Sequence, residues 1–245
     1  MLIRLFRKVH LCIYIFWVVF FFILFYPILY VLSRRPQRYF SQIVNIRRII
    51  ALFSTLMSGF MFRFHYKEKV DWTRTYVICA NHTSLLDISI MAILCRQNFC
   101  FIGKESLLKN PVTRIFFRTI DIPINRESKL SSYRAFKTAN ERLKEGKSIA
   151  IFPEGKIEEV YPPRLQDFKN GPFRLAIENK LPILPLVMHD IWKLLWDEGN
   201  TGSRPGLGRV SILPVVETEN LTINDIDTLK DQIFSLFSNH LRQSM

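Results

Sequence analysis

The chain has 245 residues, 34 Lys and Arg against 21 Asp and Glu for a formal charge of +13, and 49% hydrophobic residues. This composition excludes a disordered tail, a collagen-like chain and a disulfide-stapled mini-protein, and the length fits one medium domain with an appendage. The charge is uneven: residues 1 to 64 hold nine basic side chains and no acidic one, and taking nine from thirteen leaves +4 for residues 65 to 245. A nucleic-acid binder would carry a basic stripe on its folded domain. Here the cations flank and interrupt very apolar segments, which points to an anionic membrane surface and to no nucleic acid.

Leu11 to Leu32 is a run of 22 residues without a formal charge. As a helix it crosses ~30 Å of hydrocarbon. It ends in Ser33-Arg34-Arg35-Pro36 rather than the small residues of a cleavage site, so it reads as an uncleaved anchor, with a kink expected at Pro27. Arg4, Arg7 and Lys8 on one side balance Arg34, Arg35 and Arg38 on the other, and the positive-inside rule names no winner. Ile43 to Phe64 reads as an amphipathic helix suited to the interface plane, with Arg47, Arg48, Ser54, Thr55 and Ser58 on one arc. One true span and a re-entrant hairpin both fit. Residues 1–64 are thus expected to be a membrane anchor (helices 11–32 and 43–64) and 65–245 a second domain.

In that domain, strands are expected at 76–80, 148–152, 183–188 and 210–216, and helices at 85–95, 106–118, 132–145, 172–179 and 224–242. The alternation predicts an α/β fold, a mixed, mostly parallel sheet with flanking helices. Lys156 to Gly171 and Asp197 to Gly208 read as loops. Cys12, Cys79, Cys95 and Cys100 form no C-x-x-C pair, the histidines form no metal-ligand pattern, and no metal is expected.

Asn81-His82-Thr83-Ser84-Leu85-Leu86-Asp87 follows a strand and runs into a helix, which puts His82 at a carboxyl strand end. Asp87, one turn into the helix, can reach back to the loop. A carboxylate on one imidazole nitrogen fixes the tautomer and leaves the other nitrogen free to take a proton. The same five-residue spacing also describes a capped helix with a surface carboxylate. Phe152-Pro153-Glu154-Gly155 follows the next strand and presents Glu154 at the same edge, either to orient a hydroxyl or to close a loop on backbone N–H groups. Lys104, Arg126 and Lys169 are loop cations that suit a phosphate-bearing substrate, or are plain surface charges. Gly146-Lys147-Ser148 is no phosphate loop, since Glu141 stands where its first Gly is required, and no G-x-S-x-G is present.

The order of NHTSLLD at 81–87, GKESL at 103–107, DIPINRE at 121–127, FPEGK at 152–156, FKNGPFRLA at 168–176 and LPILPL at 181–186 resembles the glycerolipid acyltransferases, in particular the membrane-bound bacterial 1-acylglycerol-3-phosphate acyltransferases. The resemblance covers roughly residues 65 to 215 and implies an N-terminal membrane-embedded helical pair. It implies transfer of a fatty acyl chain from acyl-CoA or acyl-carrier protein, a co-substrate rather than a cofactor, to a lysophospholipid acceptor. It also implies a location at the bacterial inner membrane, with the catalytic domain facing the cytoplasm.

By the resemblance His82 is the general base and Asp87 its orienting partner, Lys104 and Arg126 hold the acceptor's phosphate, and Glu154 binds substrate. Donors for the oxyanion come from backbone N–H groups near Gly155 or at the helix start after His82. One departure stands out: the family's usual run after FPEG is Thr-Arg-Ser, and here it is Lys156-Ile157-Glu158. Lys156, Arg164 or Lys169 could supply the cation missing at Ile157, and a lysolipid acceptor with less headgroup charge is the alternative within the same chemistry. A non-catalytic membrane-anchored lipid-binding protein that retains the fold is the alternative outside it.

Overall fold

The computed structural model describes residues 2–157, 162–196 and 202–242. Residues 158–161 and 197–201 of the two expected loops lie outside them.

Helix α1 is Leu2–Ser33, continuous through Pro27, with a mean hydropathy of 2.6 in an 18-residue window that is 11% buried; it is apolar and long enough to cross a membrane. Helix α2 is Phe40–Met57 and packs along α1 with Phe22, Leu29, Ile43 and Ile50 buried. The helix expected to reach residue 64 stops at Met57. Gly59, at φ +70°, reverses the chain where a Cβ would meet Pro205 at 2.9 Å, and Phe60–Tyr66 continues as strand β1. The period-two pattern Phe-Met-Phe-Arg-Phe-His-Tyr is a strand signal hidden behind an apolar helix.

The polar arc of α2 does not face solvent. Arg47, Ser54, Thr55 and Ser58 are buried, while Leu52, Phe53, Leu56 and Met57 are exposed. Arg47 pairs with Asp121 at 2.7 Å and donates to the Phe99 carbonyl at 3.1 Å, its guanidinium 4.3 Å from the Phe99 ring and 4.9 Å from the Phe101 ring. Arg48 donates to the Ala92 and Cys95 carbonyls.

The remaining elements are β2 (Val77–Ala80), α3 (Leu86–Leu94), β3 (Phe99–Lys104), α4 (Pro111–Thr119), β4 (Ile122–Ile124), α5 (Lys129–Lys144), β5 (Ser148–Ile151), α6 (Gly171–Asn179), β6 (Ile183–Met188), α7 (Ile191–Leu194), β7 (Leu195–Trp196), β8 (Gly202–Ser203), β9 (Gly206–Ile212) and α8 (Ile226–Arg242). The helix expected at 106–118 is split into a 3₁₀ turn, Glu105–Leu108, and α4. Asn110 caps α4 through Val112 N at 2.9 Å, and Pro111 at the first helical position holds its predecessor out of the α region. The last expected strand moves from 210–216 to 206–212, since glycines at 206 and 208 mask its start and Pro214 removes a ladder donor.

Seven strands form one sheet in the order β1-β9-β6-β2-β5-β3-β4. β6, β2, β5, β3 and β4 run parallel; β9 is antiparallel to β6, and β1 is parallel to β9. Chain reversal at each parallel crossover brings the carboxyl ends of β2, β5, β3 and β4 to one edge. Right-handed crossovers put α3 and α4 on one face of the sheet and α5 and α6 on the other. α1 and α2 join the first face: α2 packs on α3 and α1 touches α4. Tyr14 of α1 meets Ser89 of α3 at 3.0 Å.

Candidate active site

Loop 81–85 leaves β2 and is fixed before any catalytic atom is placed. Asn81 donates to the Met188 carbonyl at 3.0 Å and accepts from Met188 N at 2.7 Å, so it is paired like a ladder residue with β6. Ser84 Oγ donates to Leu195 O at 2.8 Å and accepts from Leu86 N at 3.1 Å, opening α3.

Asp87, fully buried, turns back on this loop. Its Oδ2 accepts from Thr83 N at 2.6 Å, Ser84 N at 2.8 Å and His82 Nδ1 at 3.1 Å. Two backbone donors that a helix start leaves unpaired thus hold the carboxylate, and the carboxylate holds the ring. Its Oδ1 and the Thr83 hydroxyl are buried without a hydrogen-bond partner among the described residues. The imidazole stacks on Phe152 at 3.9 Å between centroids and 11° between planes, which fixes its rotation. With Nδ1 donating to Asp87, Nε2 carries the lone pair, and it has no hydrogen-bond partner among the described residues.

Because β5 is the neighbour of β2, the Phe152–Gly155 turn lies beside His82. Glu154 is 5% exposed; Oε1 accepts from His82 N at 2.7 Å and Oε2 from Gln166 N at 2.8 Å. These two bonds close the loop on backbone N–H groups. Lys169 N donates to Pro153 O at 2.9 Å, so the returning loop crosses the same turn.

Gly155, at φ +84°, leaves room for a guanidinium: a Cβ there would stand 3.0 Å from Arg126 Nη1. Arg126 arrives from the end of β4, three strands from β2 in the sheet order, and reaches this contact with its guanidinium while the residue stays exposed. Partial desolvation pulls its pKa below the usual guanidinium value, and the group stays charged at any ordinary pH. Lys104, at the end of β3, is two strands from β2, about 10 Å at strand spacing. Lys104, Lys156 and Lys169 are exposed along this edge.

The backbone donors expected for an oxyanion are largely taken. Gly155 N donates to Phe152 O at 3.0 Å, Thr83 and Ser84 donate to Asp87, and Leu86 N donates to Ser84 Oγ. These four donors beside His82 serve the loop itself.

Sequence reasoning missed the Asn81 brace, the Ser84 bond to Leu195 O and the Gln166 amide. Asn81 was legible as the residue before His82; Gln166, twelve positions after Glu154, carried no local signal.

His189 and Asp190 form no second such pair. His189 Nε2 meets Ser211 Oγ at 2.8 Å, and Asp190 pairs with Lys193 at 3.2 Å and with Arg209. Burial first, and Arg209 next, push the His189 pKa down to about 4.

A mixed, mostly parallel sheet with α1 and α2 packed on one face is a fold known in crystal form. The structure of the 1-acyl-sn-glycerophosphate acyltransferase PlsC from Thermotoga maritima superposes with a TM-score of 0.78 at 18% identity, covering 96% of this chain and 95% of that one. A family model described as Acyltransferase matches residues 61–189, more than half of the chain, which therefore belongs to the acyltransferase family. Similar curated proteins include the mouse 1-acyl-sn-glycerol-3-phosphate acyltransferase alpha, 26% identical over 219 residues, or 89% of this chain and 74% of that one. An uncharacterized acyltransferase of Schizosaccharomyces pombe is 27% identical over 203 residues, 82% of this chain and 72% of the relative. The coconut 1-acyl-sn-glycerol-3-phosphate acyltransferase is 28% identical over 174 residues, 70% of this chain and 55% of its own length.

Proposed function

We propose that the protein transfers a fatty acyl chain from an acyl thioester to the free hydroxyl of a lysophospholipid, with 1-acylglycerol-3-phosphate as acceptor and phosphatidic acid as product. The observation that carries this reading is the geometry of His82: Nδ1 is 3.1 Å from a fully buried Asp87 carboxylate, and Nε2 has no partner among the described residues. The names of the relatives support the acceptor.

Nε2 removes the acceptor proton as the hydroxyl oxygen bonds to the thioester carbonyl carbon. The Asp87 carboxylate stabilises the imidazolium, and the same proton then passes to the departing thiolate as the C–S bond breaks. A positioned base of this kind contributes about 10²- to 10⁴-fold. Arg126, held on Gly155, and Lys104 meet the acceptor phosphate, with Lys156 and Lys169 contributing charge along the same edge. Glu154 serves by fixing the His82 backbone. The apolar anchor keeps the acceptor's own chain in the bilayer while the thioester arrives from the cytoplasm.

A second acceptor class, a lysolipid with less headgroup charge, is favoured by Ile157, half-buried two residues after Gly155 where a cation would reinforce a phosphate grip. The test is thiol release from acyl-CoA and from an acyl-carrier-protein thioester by detergent-purified protein, against a panel of lysolipids, with His82→Ala in parallel. Release that depends on the acceptor and falls at least about 100-fold in the variant is expected. Equal release by both proteins refutes the role of His82.

A further inference from the structure

The net charge of the second domain is concentrated in one stretch. Residues 104 to 137 hold eight basic and three acidic side chains, +5, so the rest of residues 65 to 245 sums to −1. One of the three acids, Asp121, is buried and paired with Arg47, which leaves the exposed charge more one-sided still. Part of this charge lies on α5. Lys129, Tyr133 and Lys137 repeat at four-residue spacing, with Leu130 and Arg134 beside them on the same stripe. Leu130 is 58% exposed and Tyr133 68%, while the opposite face of the helix buries Ala135, Ala139 and Leu143 in the core. An apolar pair that projects between three cations is not needed by the fold.

Position says which side this stripe serves. α5 begins three residues after Arg126, at the carboxyl edge of the sheet, on the face opposite α3 and α4, where α1 and α2 pack. The helix apolar enough to cross a membrane, α1, lies on that other face, so the stripe is directed away from it. A small polyanion such as a nucleotide-bearing thioester needs cations converging on a cleft. A convex helix face with Leu130 and Tyr133 at its centre and charge at its rim has instead the composition of a protein-docking patch.

We infer that the first half of α5 docks a small acidic acyl-carrier protein, so that its thioester arm reaches His82 along the Arg126 side of the site. The inference rests on the thioester acyl transfer proposed above and adds the identity of the donor's carrier and its place of contact.

The experiment uses the full-length protein and a Lys129→Glu/Arg134→Glu/Lys137→Glu variant, with a Leu130→Ser/Tyr133→Ser variant alongside; none of these five residues belongs to the proposed catalytic or phosphate-binding set. Binding of a fluorescently labelled holo-acyl-carrier protein is measured by anisotropy, independently of turnover. KM and kcat are measured with acyl-carrier-protein and acyl-CoA donors. Wild-type binding that weakens with salt, is lost in both variants, and accompanies a KM rise of about tenfold or more for the carrier donor alone, at unchanged kcat, is the expected result.

Absence of carrier binding by the wild type overturns the inference even where acyl-CoA is turned over, which leaves the proposed reaction standing. A KM rise shared by both donors also overturns it, in favour of a small-anion site. Unchanged carrier binding in the variants, with binding to phosphatidylglycerol-containing vesicles lost, overturns it in favour of a second membrane contact. No turnover with either donor while carrier binding persists and is lost in the variants refutes the reaction and not the docking site.

Discussion

Replacing Arg47 by Met tests how firmly α2 is built into the sheet. The guanidinium makes a 2.7 Å ion pair with Asp121, a 3.1 Å hydrogen bond to Phe99 O, and face contacts with the Phe99 and Phe101 rings. Asp121 Oδ1 has one further donor, Phe101 N at 2.8 Å. Met fills much of the volume but leaves a buried carboxylate with a single backbone donor and a buried carbonyl with a lost partner. Breaking a buried pair from one side costs about 3–5 kcal/mol, largely because of the charge left behind. For a chain of this size that lowers the midpoint of thermal unfolding by on the order of 10 °C. Arg47→Met/Asp121→Asn removes the stranded charge and keeps an amide oxygen for Phe101 N, so the double variant should recover about 2 kcal/mol of the loss. The assay is tryptophan fluorescence during thermal unfolding in detergent, with reversibility checked by cooling. A single variant within about 1 kcal/mol of wild type, or a double variant no more stable than the single, refutes the reasoning.

Two further outcomes follow from particular groups. Gly155→Ala places a Cβ 3.0 Å from Arg126 Nη1 at a φ of +84°, so Arg126 is displaced from the turn; the acceptor KM should rise several-fold with kcat little changed, and an unchanged KM would separate Arg126 from acceptor binding. His189, with its pKa near 4 against about 6.5 when unfolded, is neutral in the folded protein, so the unfolded chain binds the extra proton. Stability therefore falls as pH drops from about 6.5 toward 4, by on the order of 1 to 2 kcal/mol after allowing for solvent screening, and His189→Gln should flatten that part of the profile; a variant that loses stability over this range as steeply as wild type contradicts the assignment.

Much of the catalytic edge was legible in the linear sequence, because it is local. His82 and Asp87 are five residues apart, and a helix start alone is enough to turn the carboxylate back on the loop. The strands before the His82 and Glu154 motifs were readable from β-branched runs, so the presence of both at one edge followed from a parallel sheet, whereas β3 and β4, which carry Lys104 and lead to Arg126, were not expected. The 22-residue charge-free run declared itself by composition. What misled the reading was also local: Phe60 to Phe64 is as apolar as the helix before it, and only the glycine reversal and pairing with β9 make it a strand.

The tertiary structure decided what those local signals are joined to. The polar arc of α2 has the same angular pattern whether it meets water or protein; Asp121, 74 residues away, makes it an internal face. Glu154 meets its backbone donors only because the fold brings Gln166 N and His82 N to its two oxygens. Arg126 is one cation among many until β4 is set beside β3 and Gly155 leaves space for the guanidinium. The sequence by itself determined the chemistry each short segment carries, since spacing along a helix or strand is fixed by backbone geometry. Which segments share a wall, and so which charges are neutralised and which remain free to act, was decided by long-range packing, because desolvation depends on neighbours that local pattern does not name.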